Sequence, residues 1–314
     1  MCGRTACTLG PEKLCRACRY QNKASGKTIE PRWIDEQSKA DYYPSFNVCP
    51  QNKTPVLLSG NQVDGVEEGE RVLQTMKWGL LPSWHKGHQR SFHFNTINAR
   101  LDTVMEKATY RNPLKKGRRC VVLADGFYEW QKMDKGKKQP YFLYFKDEQE
   151  KGGDIVEEMD AEEKRITSRI LTMAGVYDRW TPPKAMESQE PIYSYSIITV
   201  EASKSIGWLH DRMPAILDGE DAIEKWLNTG EYDAEAALAL LKPTDCLSWH
   251  PVAPAVGNVK NKSEECVKRI DLSTPTKPDT KGGLLNWLKP SPKKRHSVEE
   301  ETNEEPPCKK TIDF

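Results

Sequence analysis

Apolar and polar positions alternate along much of this chain in a way that predicts β-strands. Five short runs are rich in β-branched and aromatic residues and are bounded by polar or turn-forming residues, as is typical of strands. They are TPVLL (54–58), RCVVLADGFYEW (119–130), QPYFLYFK (139–146), RILTMAGVYDRW (169–180) and YSYSIITVEA (193–202). Few helical patterns lie between them. The pattern therefore favours the α+β class, with a mainly antiparallel, curved sheet, over a doubly wound fold.

Helical spacing appears in two later segments. GEDAIEKWLN (219–228) has Asp221 as a candidate N-cap, and DAEAALALLK (233–242) is a stronger helical pattern. The stretch KSIGWLHDRM (204–213) is ambiguous between helix and irregular structure. Two polar stretches, at 21–39 and at 146–165, are predicted to be loops or insertions, and the second is strongly acidic.

The character of the chain changes near residue 271. A linker rich in Pro, Thr and Lys is followed by a tail in which blocks of charge alternate with proline. Neither segment carries enough apolar surface to offset the entropy of ordering it. We therefore expect one folded domain over residues 2–270 and a disordered tail over residues 271–314.

Charge excludes some functions and leaves others open. Charged residues make up 30% of the chain but nearly cancel, with a formal net charge of +1, which argues against a histone-like tail. The run from 76 to 100 nevertheless mixes basic residues with rings that include Trp78, Trp84 and Phe92. Such a mixture suits single-stranded nucleic acid, because cations follow phosphates and rings stack on bases. Core tryptophans beside a solvated basic loop are the alternative explanation.

Nothing in the sequence predicts a membrane span or a secretory signal. No apolar run approaches the length of a transmembrane helix, and the first twenty residues have no apolar h-region. The nine cysteines are odd in number and irregularly spaced, which is typical of reduced intracellular thiols. Cys15 and Cys18 form a CxxC, with Cys2 and Cys7 upstream. A single such pair is a weak zinc signal, so we expect no metal and no cofactor.

The chain opens MCGRTAC, which places Cys2 directly behind the initiator Met. Removal of Met1 would give one residue with both a free α-amine and a thiol. An α-amine titrates near pH 7.7–8.0, so part of it is neutral under physiological conditions and attacks an aldehyde to form a Schiff base. The neighbouring thiol then adds to that imine and closes a thiazolidine. The alternative is a cysteine that occupies position 2 by chance.

Three further motifs carry groups that suit this chemistry. NAR supplies Asn98 and Arg100, polar groups that orient an amine or a phosphate. DGFYEW places Glu129 in an apolar, aromatic stretch, where a carboxylate suits general acid–base catalysis. HDRMP places His210 two residues before Arg212. A strand-end ion pair for Glu129 and a core position for His210 are the alternatives, since spacing alone does not bring these groups together.

Six motifs in order, MCGR, MKWGLLPSW, NAR, DGFYEW, AGVYDRW and HDRMP, resemble the SRAP (SOS response-associated peptidase) family. The resemblance covers about residues 2–270 and implies a barrel-like sheet with peripheral helices. It implies covalent attachment to abasic sites in single-stranded DNA through the mature N-terminal cysteine, which shields the lesion. FNVCP (46–50) departs from the commoner family pattern by placing Cys49 where alanine is usual, at a position that we expect to be structural.

The resemblance also implies a role for each candidate residue. Cys2 is the nucleophile and Asn98 positions its amine and thiol. Glu129 acts as the acid–base group that opens the sugar, and His210 stabilises the opened sugar. Contacts with DNA are expected from three arginines and three aromatic residues: Arg4, Arg100, Arg212, Trp78, Trp84 and Phe92. Autocatalytic loss of Met1, which the family name suggests, is an alternative to its removal by an aminopeptidase.

The tail suggests a replication setting. Lys281, Leu284, Trp287 and Leu288 approximate a binding box for the PCNA sliding clamp, although an apolar island in a linker explains them nearly as well. We expect a monomer in the nucleus, on chromatin at replication forks. Two rival functions remain at this point: a cysteine peptidase, which a Cys with a His and an acid would allow, and a non-covalent reader of modified DNA bases.

Overall fold

The computed structural model describes residues 3–23, 25–67, 69–92, 95–146, 169–183 and 190–273. The described residues up to Leu272 belong to one compact unit. Cys2, most of the acidic stretch at 146–165 and the four residues of the predicted clamp box lie outside the described residues. No helix in the described ranges is long and apolar enough to cross a membrane.

Strands dominate the described part of the chain. In chain order, β1 to β15 are Thr5–Cys7, Tyr20–Gln21, Thr28–Ile29, Arg32–Trp33, Ser45–Val48, Lys53–Ser59, Arg71–Trp78, Asn98–Arg100, Arg119–Ala124, Gly126–Lys132, Lys138–Phe145, Leu171–Trp180, Ile192–Glu201, Arg212–Pro214 and Leu247–Pro251. All five predicted runs are strands. Their β-branched and aromatic side chains are almost entirely buried, which is where such residues favour extended backbone.

The larger sheet closes on itself. It follows the order β14-β13-β12-β9-β6-β7-β4, β8 pairs with β13, and an additional parallel pairing joins β13 to β7. Five strands, β13, β12, β9, β6 and β7, therefore form a ring in which each is hydrogen-bonded to the next. Antiparallel pairs make up the other four contacts of this ring. The prediction of a mainly antiparallel, barrel-like α+β fold is confirmed.

A second sheet of five antiparallel strands has the order β15-β11-β10-β1-β5. The run predicted as one strand over 119–130 is divided between the two sheets at Asp125. The Asp125 carboxylate accepts hydrogen bonds from the backbone N–H of Thr8 at 3.0 Å and from its hydroxyl at 2.6 Å. The next residue is Gly126, where a larger side chain does not fit, since a Cβ there would lie 2.3 Å from the carbonyl oxygen of Leu143. The chain thus turns from the barrel into the second sheet at this point.

Helices are short and peripheral: α1 to α5 are Pro11–Ala17, Glu36–Ala40, Ala108–Lys115, Glu220–Leu227 and Ala234–Ala239. Both predicted helices are present. Asp221 is not the N-cap of α4, however. Gly219 is, with a φ of 97° that favours glycine, and Asp221 lies in the first turn. Asp233 caps α5 by accepting a hydrogen bond from the N–H of Ala236 at 2.8 Å.

Two polar or ambiguous stretches differ from expectation. The segment 21–39, predicted to be a loop, contributes β3, β4 and most of α2. Trp33 in this segment is only 9% exposed, and its ring packs on Tyr42. The polar residues around Trp33 in the sequence gave no sign of this buried contact. The ambiguous stretch at 204–213 is a series of turns that leads into β14.

The two faces of the second sheet contribute to different apolar clusters. Phe127 and Leu143 belong to the main core, whereas Tyr128 and Phe142 belong to a smaller cluster on the other face. Residues directly opposite on paired strands share a face, and faces alternate along each strand. Glu129, two residues after Phe127, therefore lies on the face of the main core.

Candidate functional site

The described N-terminus runs beside the strand that carries Glu129. Thr5 pairs with Phe127 in the ladder between β1 and β10, and the N–H of Tyr128 donates to the carbonyl of Arg4 at 2.9 Å. Continuing this register by two residues places Gly3 opposite Glu129. Cys2 itself lies outside the described residues, but a single peptide bond joins it to Gly3.

Glu129 is a buried carboxylate in an aromatic setting. Its side chain is on the core face of β10, and the residue is 6% exposed. One carboxylate oxygen accepts a hydrogen bond from the N–H of Trp130 at 3.3 Å. The strand partner of Glu129 is Tyr141, whose own burial raises the pKa of its phenol. A carboxylate held away from bulk water next to a neutral phenol is suited to moving protons.

The turn that precedes His210 contacts the strand partner of Glu129. The ring of Trp208 lies edge-on to Tyr141, with ring centroids 5.0 Å apart. Tyr141 is the strand partner of Glu129, and His210 follows Trp208 by two residues. The described contacts thus connect Glu129 with the turn that carries His210.

The Nδ1 atom of His210 has two polar neighbours. It lies 3.0 Å from the backbone N of Arg212 and 2.7 Å from a carboxylate oxygen of Asp211. These contacts require different states of Nδ1, since it accepts from an N–H only without a proton and donates to a carboxylate only with one. Asp211 is 84% exposed, so water weakens its attraction for the ring, and the bond from the Arg212 backbone orients the imidazole.

Asn98, which is 8% exposed, and Arg100 lie on the short strand β8, and Asp102 links Arg100 to Arg212. β8 runs parallel to β13, with Arg100 opposite Thr199. The Arg212 guanidinium donates to the carbonyl of Thr199 at 2.5 Å and lies 3.7 Å from the carboxylate of Asp102. Asp102 also pairs with Arg100, and hydrogen bonds from that guanidinium hold the pKa of Asp102 below its ordinary value. Asp102 was not among the predicted residues, although an acid two residues beyond a candidate arginine was a usable signal.

The three predicted DNA-binding arginines have different surroundings. The Arg100 side chain is 51% exposed, which suits a phosphate contact, whereas that of Arg212 is 8% exposed. Arg4 lies with the smaller cluster, where it donates to Asn47 at 2.7 Å and to the carbonyl of Val256 at 2.8 Å. Its guanidinium also faces the ring of Trp130. Phosphate contacts from all three remain predictions.

The aromatic residues predicted to stack on bases separate into two groups. Trp78 is 0% exposed, stacks on Tyr195 and donates its indole N–H to the carbonyl of Ile97 at 3.0 Å. A stacking role for Trp78 is therefore wrong, because no base reaches a ring inside the barrel. Trp84 is 50% exposed and contacts Phe92 edge-on, with centroids 6.2 Å apart. These two rings remain candidates for base contacts.

The motif AGVYDRW holds the loop that presents Trp84. Asp178 is 1% exposed, pairs with Arg118 and accepts a hydrogen bond from the N–H of Ser83 at 2.7 Å. Trp180 donates its indole N–H to the carbonyl of His85 at 2.8 Å. Two residues of one strand thus fix the backbone on both sides of Trp84. From the sequence, this motif was predicted to be part of a strand and was used as a family signature, but its role in holding the loop was missed.

Most described cysteines are poor nucleophiles. All seven are free thiols, and Cys7, Cys18, Cys120 and Cys266 are buried. Burial raises the pKa of each of these four thiols, to about 12 for Cys18, so the reactive thiolate is scarce. No cluster of three or more His, Cys, Asp or Glu side chains suited to a metal ion occurs among the residues that the structure describes.

The chain folds into a closed barrel with a second antiparallel sheet, and its start runs beside a buried glutamate. Its sequence matches a known family. The chain belongs to the SOS response associated peptidase (SRAP) family, whose model matches residues 1–259. It is similar to proteins named abasic site processing protein HMCES: 46% identical to that of Gallus gallus, covering 96% of this chain and 88% of the relative, and 45% identical to that of Xenopus tropicalis, covering 95% and 88%.

More distant similarities cover most of the chain as well. The abasic site processing protein YoqW of Bacillus subtilis is 31% identical over 233 residues, which is 73% of this chain and 88% of the relative. An X-ray crystal structure of a protein from Bacteroides thetaiotaomicron matches 86% of this chain and 100% of its own, with a TM-score of 0.63 at 24% identity. That structure supports the fold alone.

Proposed function

We propose that this protein processes abasic sites in single-stranded DNA by attaching to them covalently through Cys2. Relatives that align with almost the whole chain carry the name abasic site processing protein. The observation that carries the proposal for this chain is the register of β1 on β10, which places Gly3 opposite the buried Glu129. The proposed nucleophile, Cys2, is thus bonded to the residue that lies opposite the proposed acid–base group.

The proposed reaction balances without any cofactor. The ring-opened abasic sugar presents an aldehyde, and the neutral α-amine of mature Cys2 adds to its carbon. Loss of one water gives the imine, with Glu129 moving the proton. The thiol then adds to the imine carbon, its proton goes to the imine nitrogen, and the thiazolidine closes. Protein and DNA are joined with the net loss of one water molecule.

Closing the ring explains why both groups of the cysteine are needed. A Schiff base invites β-elimination, which breaks the DNA strand, whereas a thiazolidine has no imine to drive that step. His210 is proposed to donate a hydrogen bond from its ring to the opened sugar. The covalent product would then protect the lesion from nucleases and lyases.

Removal of Met1 must precede this chemistry. The family description names a peptidase, and autocatalytic cleavage of the Met1–Cys2 bond is one route to the free amine. We therefore expect the mature protein to lack Met1. Intact mass of the expressed protein measures this, and a protein that keeps Met1 and still forms the linkage would contradict the aminothiol mechanism.

A denaturing gel tests the function. Purified protein is incubated with a single-stranded oligonucleotide that carries one abasic site, then heated in denaturant. We expect a slow-migrating adduct that is missing with the undamaged oligonucleotide and with one whose abasic aldehyde has been reduced to an alcohol. Cys2→Ser should lose this stable adduct, and Cys49→Ser, which alters a partly exposed thiol, should keep it. A complex that forms but dissociates on heating would instead identify a non-covalent reader.

The setting is proposed from the tail alone. Lys281, Leu284, Trp287 and Leu288 would bind a sliding clamp and bring the protein to nuclear replication forks. Retention of the full chain on immobilised PCNA, compared with Trp287→Ala, tests this. Equal retention of the two proteins would remove the clamp from the account.

A further inference from the structure

Trp208 is an exposed indole to which the proposed reaction assigns no role. Of the tryptophans that the structure describes, only Trp84 and Trp208 are prominently exposed, Trp208 at 43%. Its indole N–H is already satisfied by the carbonyl of Ser205 at 3.0 Å. Covering the exposed part of this ring with another flat apolar group therefore leaves no polar atom of the indole unpaired.

The ring is held in place before any ligand arrives. Its centroid lies 5.0 Å from that of Tyr141 and 5.9 Å from that of Trp249. The turn that carries it is anchored on both sides of Trp208 by Ile206 and Leu209, which are 3% and 6% exposed. A ligand that stacks on a ring already fixed by packing loses little affinity to ordering it.

The position of Trp208 relates it to the site. Tyr141, which the ring contacts, is the strand partner of Glu129. His210 follows two residues later in the chain. Trp208 thus lies beside the region where the abasic sugar would react.

The substrate itself explains why a ring is useful there. An abasic nucleotide has no base, so it offers neither a base edge nor a ring for recognition. Stacking energy must come from the neighbouring nucleotides, and every base has a face that stacks on an aromatic side chain. A platform next to the reacting sugar would hold such a neighbour and fix the position of the lesion.

We infer that Trp208 stacks on a base adjacent to the abasic nucleotide and so holds the sugar aldehyde near Cys2 and Glu129. This inference rests on the proposed function. It assigns Trp208 a positioning role, in which the indole contacts the flanking nucleotide and takes no part in bond formation.

The test places a fluorescent adenine analogue, 2-aminopurine, on either side of the abasic site in a single-stranded oligonucleotide. Stacking on an indole changes its emission. We expect a change with wild-type protein at one of the two positions, its loss in Trp208→Ala and its retention in Trp208→Phe. Affinity and the initial rate of adduct formation at subsaturating DNA should fall about 5- to 150-fold in Trp208→Ala. Tyr43→Ala removes a ring that is 76% exposed elsewhere and serves as the matched control.

The outcomes separate the inference from the proposed function. If wild type forms the adduct and Trp208→Ala matches it in emission, affinity and rate, the stacking role is refuted while the covalent function stands. If wild type forms no adduct with any substrate, the proposed function fails, whatever the emission shows. A Trp208→Ala protein that reacts at the wild-type rate when DNA is saturating, and slowly only at low DNA concentration, supports the inference. A fault in the chemistry would instead slow the reaction at saturation as well.

Discussion

At the residue scale, the site depends on groups that burial keeps in place. Glu129 is 6% exposed, and its strand partner Tyr141 is 8% exposed. The buried thiols have raised pKa values, whereas the α-amine and thiol of Cys2 would sit on a chain terminus. The specificity of the proposed reaction then comes from having both groups on one residue, which no internal cysteine offers.

Replacing Glu129 by glutamine should slow covalent linkage without removing DNA binding. The amide keeps the shape but cannot exchange protons, and general acid–base help is typically worth about 100- to 10,000-fold. Single-turnover rates of adduct formation, measured beside binding to undamaged single-stranded DNA, check this. The exposed Glu235→Gln is the control. An unchanged rate in Glu129→Gln would remove this residue from the mechanism.

His210→Ala should act in the same direction with a smaller effect. The opened sugar still presents its aldehyde without a hydrogen bond from the imidazole, so the reaction loses stabilisation and keeps its nucleophile and base. The same single-turnover measurement applies. A loss greater than that of Glu129→Gln would show that His210, rather than Glu129, is the main proton carrier.

At the scale of elements, strands hold the loops that carry candidate contacts. β12 fixes the loop of Trp84 through Asp178 and Trp180, and β10 carries Glu129 beside the chain start. These long strands were predictable because their β-branched and aromatic runs are buried. β1 and β8 were not, since each has three residues, too few to show a period. Trp78 was misjudged for a related reason: composition shows that a ring is present but not which side of a strand it occupies.

Asp178→Asn should loosen the Trp84 loop and destabilise the fold. It removes the charge that pairs with Arg118 and weakens the bond from the Ser83 N–H. Hydrogen bonds to charged groups contribute about 1.5–3 kcal/mol each to stability. We expect a loss of about 1–3 kcal/mol in urea unfolding and weaker binding to undamaged single-stranded DNA. The control is Asp221→Asn. The Asp221 side chain is 80% exposed in its pair with Lys225, so this substitution should change neither stability nor DNA binding by much. Equal stability of the two variants would contradict the anchoring role.

Helix α4 is tied to the barrel by a buried arginine, which predicts a pH dependence. Arg71 is 4% exposed and pairs with Glu220 and Glu224. Burial alone would raise the pKa of Glu224, but hydrogen bonds from Arg71 and Lys23 outweigh it, and the net shift is downward. A carboxyl with a lowered folded pKa stabilises the fold above its unfolded pKa of about 4.3, and that contribution is lost as pH falls through the lower folded value.

Glu224→Gln should therefore destabilise the protein near neutral pH and matter less in acid. The difference in unfolding free energy between wild type and Glu224→Gln should stay constant from about pH 7 to pH 5 and shrink below about pH 4. Urea titrations across this range measure it, with Glu235→Gln as a control that shows no such change. A difference that grows on acidification would contradict the assigned pairing.

At the scale of the whole molecule, the proposed reaction requires the lesion to come to the protein. The chain start is tied into a sheet by the bond between Tyr128 and Arg4, so the proposed nucleophile is bonded to a residue that lies opposite Glu129. The family motifs implied that the candidate residues act together, but they gave no route by which the chain would bring these residues near one another. Barrel closure through β13 and β7 and the contact of Trp208 with Tyr141 join parts of the chain that are far apart in sequence.

A tethered nucleophile predicts a preference for single strands. Extruding a nucleotide from a duplex costs a few kcal/mol, whereas a single strand has little stacking to lose. Initial rates of adduct formation at fixed salt should be fastest on single-stranded DNA and at junctions between single and double strands, and slowest in continuous duplex. Raising the salt should slow formation without dissolving adducts already made. Equal rates on all three substrates would contradict the tethered geometry.

The central claim is that one residue supplies both bonds to the sugar, and the mass of the N-terminal tryptic peptide tests it most directly. After reaction with an abasic oligonucleotide and digestion of both polymers, the peptide Cys2–Arg4 should carry the sugar fragment with the loss of one water. Its thiol should resist alkylation, because sulfur is bonded to the former aldehyde carbon. A fragment on any other peptide, or on this peptide with a thiol that still alkylates, would contradict the thiazolidine.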